Sequence, residues 1–332
     1  MQAAILRHRG SIEVCSVEMP VCSEGEILLK VICCGICGSD LYKWRNGTVP
    51  PGTVLGHEVV AEIVAGPRTA ALGLTMGARV AVVNHIPCGR CPLCMRGRTT
   101  MCPQFRSTHM IPGGFSEYIK VGPTHIPQGL IPLPPGISDT EATLVEPMGC
   151  CIRALERWKV QRGQTVLVMG LGVIGILFGA LLRERGVRAV GLDPLEERRR
   201  LAVRLGMDEA VSPEQAYGDM RVDGVVITFC SEDTMRKAVE AVGPGGWIGL
   251  FAGPRLGLPL KVMVQEIYQG EIDILPSYST GPDEMRQARD LLAQGRMKVV
   301  DLITNEFPLD SIGEAFETAE NLKGMKVVVR MG

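Results

Sequence analysis

The pattern of apolar and polar positions changes character partway along the chain. Up to about residue 145, short apolar runs are punctuated by Gly and Pro, with strand candidates at 26–32, 59–64 and 79–83. From about 145 to 278, strand-like and helix-like periods alternate. Residues 165–169 are almost wholly apolar and lie between Gly163 and Gly170, which predicts a strand buried on both faces. Ile174, Leu177, Phe178, Leu181 and Leu182 then recur at helical spacing, with Gly186 as the stop. Further buried strands are predicted at 188–193, 224–229, 246–251 and 272–275, and a helix at 232–242 ended by Gly243, Pro244 and Gly245. This order predicts an α/β chain: a β-rich domain followed by a doubly wound parallel sheet.

The turn between residues 169 and 176 organises the second half. It reads GLGVIG, and its three glycines have separate tasks. Gly170 turns the chain, Gly172 lets the backbone approach a pyrophosphate, and Gly175 lets the helix pack close to the strand. Val173 and Ile174 open the helix, whose N-terminus faces the phosphates. Asp193 follows Gly170 by 23 residues and ends the next strand, where a carboxylate can accept ribose hydroxyls. An acid there repels a 2′-phosphate, so the expected cofactor is NAD rather than NADP. Arg198, Arg199 and Arg200 lie just beyond, as a solvated basic face or as partners for such a phosphate.

The first half carries the candidate metal ligands. Cys88, Cys91, Cys94 and Cys102 fall within fifteen residues and are separated by Gly89, Pro92 and Gly97. Such a set can enclose one tetrahedral zinc with no open position, which makes its role structural. A second set lies upstream, where Cys37 and His57 supply two ligands suited to a catalytic zinc. Glu146 is the best third ligand, with Glu58 as a ligand or exchangeable neighbour. Taken singly, each has an ordinary structural alternative: a buried thiol, a satisfied core histidine, a helix-start carboxylate.

Composition narrows the class. The 332 residues suffice for two cores, and a formal net charge of −1 suggests neither nucleic acid nor an anionic membrane as partner. Residues 1–10 lack a hydrophobic signal core and no run reads as a membrane span, so the expected location is cytoplasmic. Twelve cysteines in such a chain point to metal binding and free thiols.

Together these segments resemble the zinc-containing medium-chain dehydrogenases, the family of alcohol, sorbitol and threonine dehydrogenases. The resemblance spans the chain: Cys37, the Gly56-His57-Glu58 tripeptide, the four-cysteine lobe, GGFSEY at 113–118, Glu146-Pro147, the GLGVIG turn, and Phe307-Pro308-Leu309 with Ala315-Phe316. It implies a GroES-like catalytic domain, 1–145 and 281–332, joined to a Rossmann domain, 146–280, with the active-site cleft between them. It also implies two zinc ions per chain and a homodimer or homotetramer. Cys37, His57 and Glu146 match the catalytic zinc positions, and Glu58 matches the acid beside the zinc histidine. Asp40 matches the carboxylate that orients that histidine. Ser39 matches the hydroxyl that takes the substrate proton, and Arg198 a basic residue at the adenosine ribose.

Tyr42 stands where the family often has a proton-relaying histidine. A phenol is a poor base at neutral pH, so Tyr42 either bridges the relay or shapes the pocket. Trp44, Phe115 and Tyr278 are the other aromatic candidates for the pocket. The implied reaction is hydride transfer between NAD(H) and a polar secondary alcohol or its ketone, a polyol or sugar derivative first. L-threonine or another hydroxy-amino acid is the alternative substrate. A non-catalytic dinucleotide-binding sensor or structural protein is the alternative of another class.

Overall fold

The computed structural model describes residues 1–66, 74–216, 220–252 and 264–332. It divides into two compact units: Met1–Gly149 with Thr280–Gly295 and Val299–Gly332, and Cys150–Ser279 with Arg296–Lys298. Among the described residues no helix is long and apolar enough to cross a membrane.

The first unit is built on a seven-stranded sheet. Its centre is the strand Ile27–Gly35, which pairs antiparallel with Glu58–Ala65, Tyr118–Val121 and Lys326–Arg330. Arg79–Val82 and Leu130–Pro132 extend the sheet on one side, and Ile303–Pro308 lies parallel to Lys326–Arg330 on the other. The predicted strands of this region are present, the first of them longer than its apolar run suggests because it continues through Cys33, Cys34 and Gly35. The core collects Ile27, Leu29, Val31, Val59, Val80, Phe115, Phe316 and Val329. Phe316 lies edge-on to both Trp44 and Phe115, with ring centroids 5.6 Å apart in each case. It thereby ties the late helix Ile312–Glu320 to the helix Gly38–Asn46 and to the sheet.

The second unit holds a six-stranded, wholly parallel sheet. Counted along the chain, its strands lie in the order third, second, first, fourth, fifth, sixth. The first is Thr165–Met169, as predicted, and the helix that follows is Val173–Glu184. Strand order reverses on either side of the first strand, between Arg188–Leu192 and Val222–Ile227, so the GLGVIG turn leaves the sheet at its switch point. Two details differ from the sequence expectation. The short strand Glu209–Val211 has too few apolar residues to be recognised. Gly243, Pro244 and Gly245 end the helix Glu232–Ala241 but belong to the following strand, Val242–Leu250, which absorbs them as an irregularity in its register with Val222–Ile227.

Phe316 is fully buried among the groups that join three segments of the first unit. Phe316→Ala is expected to destabilise that unit by about 3–5 kcal/mol, read as a lowered denaturant midpoint.

Candidate active site

The site in the first unit begins with one helix cap. Cys37 precedes the helix Gly38–Asn46 in extended conformation. Its sulfur accepts from the Ser39 backbone N–H at 3.5 Å, while Asp40 Oδ2 accepts from the Cys37 N–H at 3.2 Å. This reciprocal cap fixes Cys37 where the chain leaves the central strand. Asp40 is fully buried and has two further partners: Oδ1 accepts from the Gly56 N–H at 3.3 Å and lies 3.4 Å from His57 Nδ1. A carboxylate on Nδ1 leaves the other ring nitrogen to act as a ligand. Burial pushes Asp40 up, but His57 first and then Lys43 outweigh it, so its carboxyl lies below the usual range. Burial likewise disfavours a charged His57, and Asp40 followed by Cys37 more than compensates, holding the imidazole well above its ordinary value.

The ligand atoms of Cys37, His57 and Glu58 all lie within 4.8 Å of one another. Sulfur, imidazole and carboxylate converging in this way fit zinc. Glu146, in the helix Val145–Arg157, is outside that close group, although its charge reaches the same neighbourhood and acts on Lys326. Ser39 is exposed beside Cys37, and Tyr42 is half-buried one turn along the same helix. Phe115 is fully buried in the core and Trp44 packs edge-on against Phe316, so both are packing residues here. Tyr278 is exposed.

Sequence reasoning missed Lys326. Its Nζ donates to Glu58 Oε2 and, at 3.2 Å, to the Ile36 carbonyl. The two side chains are only 3% and 1% exposed. Burial pulls the Lys326 ammonium down, yet Glu58, then Cys37, reverse this and leave it raised. A lysine at the head of the run Lys326-Val327-Val328-Val329 carries no sequence signal of a partner 268 residues away.

The four-cysteine lobe is equally compact, its sulfurs all within 4.8 Å. Cys88 and Cys91 sulfurs lie 4.0 and 3.6 Å from that of Cys94, and the Cys88 N–H donates to Cys102 Sγ at 3.3 Å. Backbone donors at Arg90 and Cys91 hold the Cys88 thiol down to about 6, whereas burial and neighbouring thiols push Cys94 up to about 12. Four sulfurs so close cannot all ionise without a cation, and the set fits a structural zinc. The surroundings suit a metal–tetrathiolate of net negative charge: no acidic residue occurs between Glu62 and Glu117, and Arg90, Arg96, Arg98 and Arg106 are exposed around the lobe.

In the second unit, Gly170 has φ +93° and its N–H donates to the Leu192 carbonyl at 2.8 Å. A Cβ on Gly175 would lie 1.9 Å from the Gly170 oxygen, so only glycine permits this helix to start so near the strand. A Cβ on Gly172, at the N-cap of the helix opened by Val173 and Ile174, would meet nothing within 4 Å. Asp193 is buried; its two oxygens accept from the Leu171 and Leu195 N–H groups at 2.8 and 2.9 Å. Arg198 Nη1 is 4.0 Å from Asp193 Oδ2, and Arg199 is bound to the Asp193 and Pro194 carbonyls.

Comparison with known proteins agrees with both halves. Residues 23–135 match the model for the alcohol dehydrogenase GroES-like domain, and residues 173–294 that for zinc-binding dehydrogenases. Sorbitol dehydrogenase of Bacillus subtilis is 30% identical over 99% of this chain and 97% of its own. L-galactonate-5-dehydrogenase of Escherichia coli is 30% identical over 90% of this chain and 89% of its own. Among solved structures, a zinc-binding dehydrogenase of Sinorhizobium meliloti bound to NADP superposes with a TM-score of 0.87 at 27% identity, covering 99% of this chain and 98% of that one. A β-rich unit with two clusters of donors that fit zinc, a parallel sheet with the GLGVIG turn at its switch point, and relatives aligned over nearly their whole length lead to one conclusion: this chain belongs to the zinc-containing medium-chain dehydrogenase/reductase family.

Proposed function

We propose that the protein is a zinc-dependent, NAD-linked dehydrogenase of polar secondary alcohols, with polyols or sugar derivatives as the preferred substrates. The observation that carries this reading is the convergence of Cys37, His57 and Glu58 within 4.8 Å beside the exposed Ser39 hydroxyl. The sorbitol and galactonate relatives support the substrate class. Cys37 and His57 would hold the metal with Glu58 or Glu146, and Cys88, Cys91, Cys94 and Cys102 would hold a second, structural ion. Zinc at the first site would supply a Lewis acid toward a substrate hydroxyl. Ser39 takes the proton from that hydroxyl, and Asp40 keeps His57 oriented throughout. Tyr42, on the next turn of the helix, lies where it can pass a hydrogen bond outward or bound the pocket.

The turn 170–175 is the proposed cofactor site. Gly172 supports this, because no neighbouring atom of the fold requires glycine there, and the space its missing side chain leaves suits a pyrophosphate. Asp193 and Arg198 would meet the adenosine ribose, the acid favouring NAD. We also propose a homo-oligomer formed through the outer strand Asp273–Pro276 of the parallel sheet.

Two zinc ions per chain are expected, falling to one in Cys37→Ser together with a loss of turnover of about a thousandfold or more. A Cys37→Ser enzyme that loses its zinc and keeps full turnover would sink the mechanism. In a screen followed at 340 nm, chelator-sensitive reduction of NAD by polyols or sugar derivatives is expected. Turnover of L-threonine instead would select the hydroxy-amino acid reading, and no turnover from a chain with one zinc would favour a sensor. Asp193→Ala should raise the KM for NAD by about tenfold, one lost charge-assisted hydrogen bond or more, while affecting NADP less; equal losses with both would assign Asp193 to the fold alone.

A further inference from the structure

We infer that the four-cysteine lobe is a docking surface for an acidic segment of another protein, one in which carboxylates alternate with apolar side chains. The starting point is a positive charge that the fold leaves unanswered. Residues 63–116 contain six arginines, no lysine and no acidic residue. Arg79 pairs with Asp139 from outside that stretch. Arg90, Arg96, Arg98 and Arg106 are exposed on the lobe, and among the described residues none of the four has an acidic partner. A zinc ion with four thiolates carries two negative charges and the four guanidiniums carry four positive ones, so two are left over; with neutral thiols the surplus is larger. The lobe that presents them is anchored. Phe105 is buried with its ring centroid 5.0 Å from that of His85, and Thr108 Oγ1 accepts from the Ile86 N–H at 2.7 Å.

The residue types select the partner. A guanidinium fork grips a carboxylate through two parallel hydrogen bonds, which lysine cannot do. Met95 lies between Arg90 and Arg96 in the chain and Met101 between Arg98 and Arg106, and they are 75% and 39% exposed. Their flexible apolar side chains add nothing for a purely anionic ligand but suit the apolar residues of a peptide. Phe105 is the sole Phe, Tyr or Trp of residues 84–112 and is buried, so the lobe offers no such ring on which the bases of a single strand could stack. The helices Pro92–Met95 and Pro103–Ser107 have four and five residues, too few to form an apolar stripe that lies in a bilayer. A protein segment with both carboxylates and apolar side chains meets the arginines and the methionines together.

The test is binding of a short fluorescent peptide of alternating glutamate and leucine to the full metal-loaded chain, followed by anisotropy. Saturable binding is expected that weakens by about tenfold or more as salt is raised to about 0.5 M, and the same peptide with glutamine for glutamate should not bind. Replacing all four arginines (R90Q, R96Q, R98Q and R106Q) should weaken binding by about tenfold or more. Met95→Ser with Met101→Ser should weaken it by about threefold or more and leave the binding of polyglutamate unchanged. A wild-type melting midpoint and metal content mark a folded variant. Should the fourfold variant lack them, Arg96→Gln with Arg98→Gln decides, with a loss of about threefold or more expected. No binding by the wild type, or binding that the arginine replacements leave intact, overturns the inference. So does tighter binding of phosphatidylserine vesicles or of an oligothymidylate than of the peptide. An oligomer that dissociates when the arginines are replaced also overturns it, by assigning the lobe to a contact between copies of the chain.

Discussion

A carboxylate removed from water keeps its charge only if the protein supplies a partner. Two such groups, Asp40 and Glu58, lie within the first unit, and the local architecture follows from satisfying them. Asp40 is met by a helix cap, a loop amide and an imidazole. Glu58 is met by Lys326, brought from the far end of the chain. Neither arrangement is the cheapest way to fill a core, since a buried ion pair is often no more stabilising than well-packed apolar residues of the same volume. Both make sense as the frame of the site that the proposed function assigns to a metal ion.

The second unit solves a different problem by different means. Its sheet is assembled from consecutive segments, and its GLGVIG turn depends on the absence of side chains rather than on paired charges. Gly175 is required by the fold, because the backbone of Gly170 occupies the space a methyl group would need. Gly172 is not. The same hexapeptide therefore contains a glycine explained by packing and one that the packing of the chain does not require.

That contrast also marks what was legible in the sequence. The parallel sheet could be read because strands buried on both faces are continuous apolar runs and the connecting helices have a clear period. Thr165–Met169 shows this most plainly, and Glu209–Val211, with one charged residue in three, shows where the signal fails. The cysteine lobe was legible because its ligands are adjacent along the chain. Cys37, His57 and Glu58 became a set only through resemblance, as nineteen residues separate the first from the second. Glu146 was read as the best third ligand with Glu58 as a ligand or exchangeable neighbour, and of the two Glu58 is in the close group. Lys326 was invisible, because an ion pair between distant strands depends on register, and register is a property of the assembled sheet.

The sheet of the first unit takes its central strand from residues 27–35 and an adjoining strand from 326–330. During synthesis, Glu58 emerges 268 residues before Lys326. At about 5–20 residues per second, that interval is roughly 15 to 50 seconds. The parallel sheet has every strand it needs only once Pro276 has emerged, and from then until Lys326 the first unit still lacks a strand and the counter-ion of a carboxylate destined for burial. The order of translation thus lets the parallel sheet be completed before the sheet of the first unit. A chain that has not yet reached Lys326 carries the whole GLGVIG turn while Glu58 still lacks the partner it is buried against.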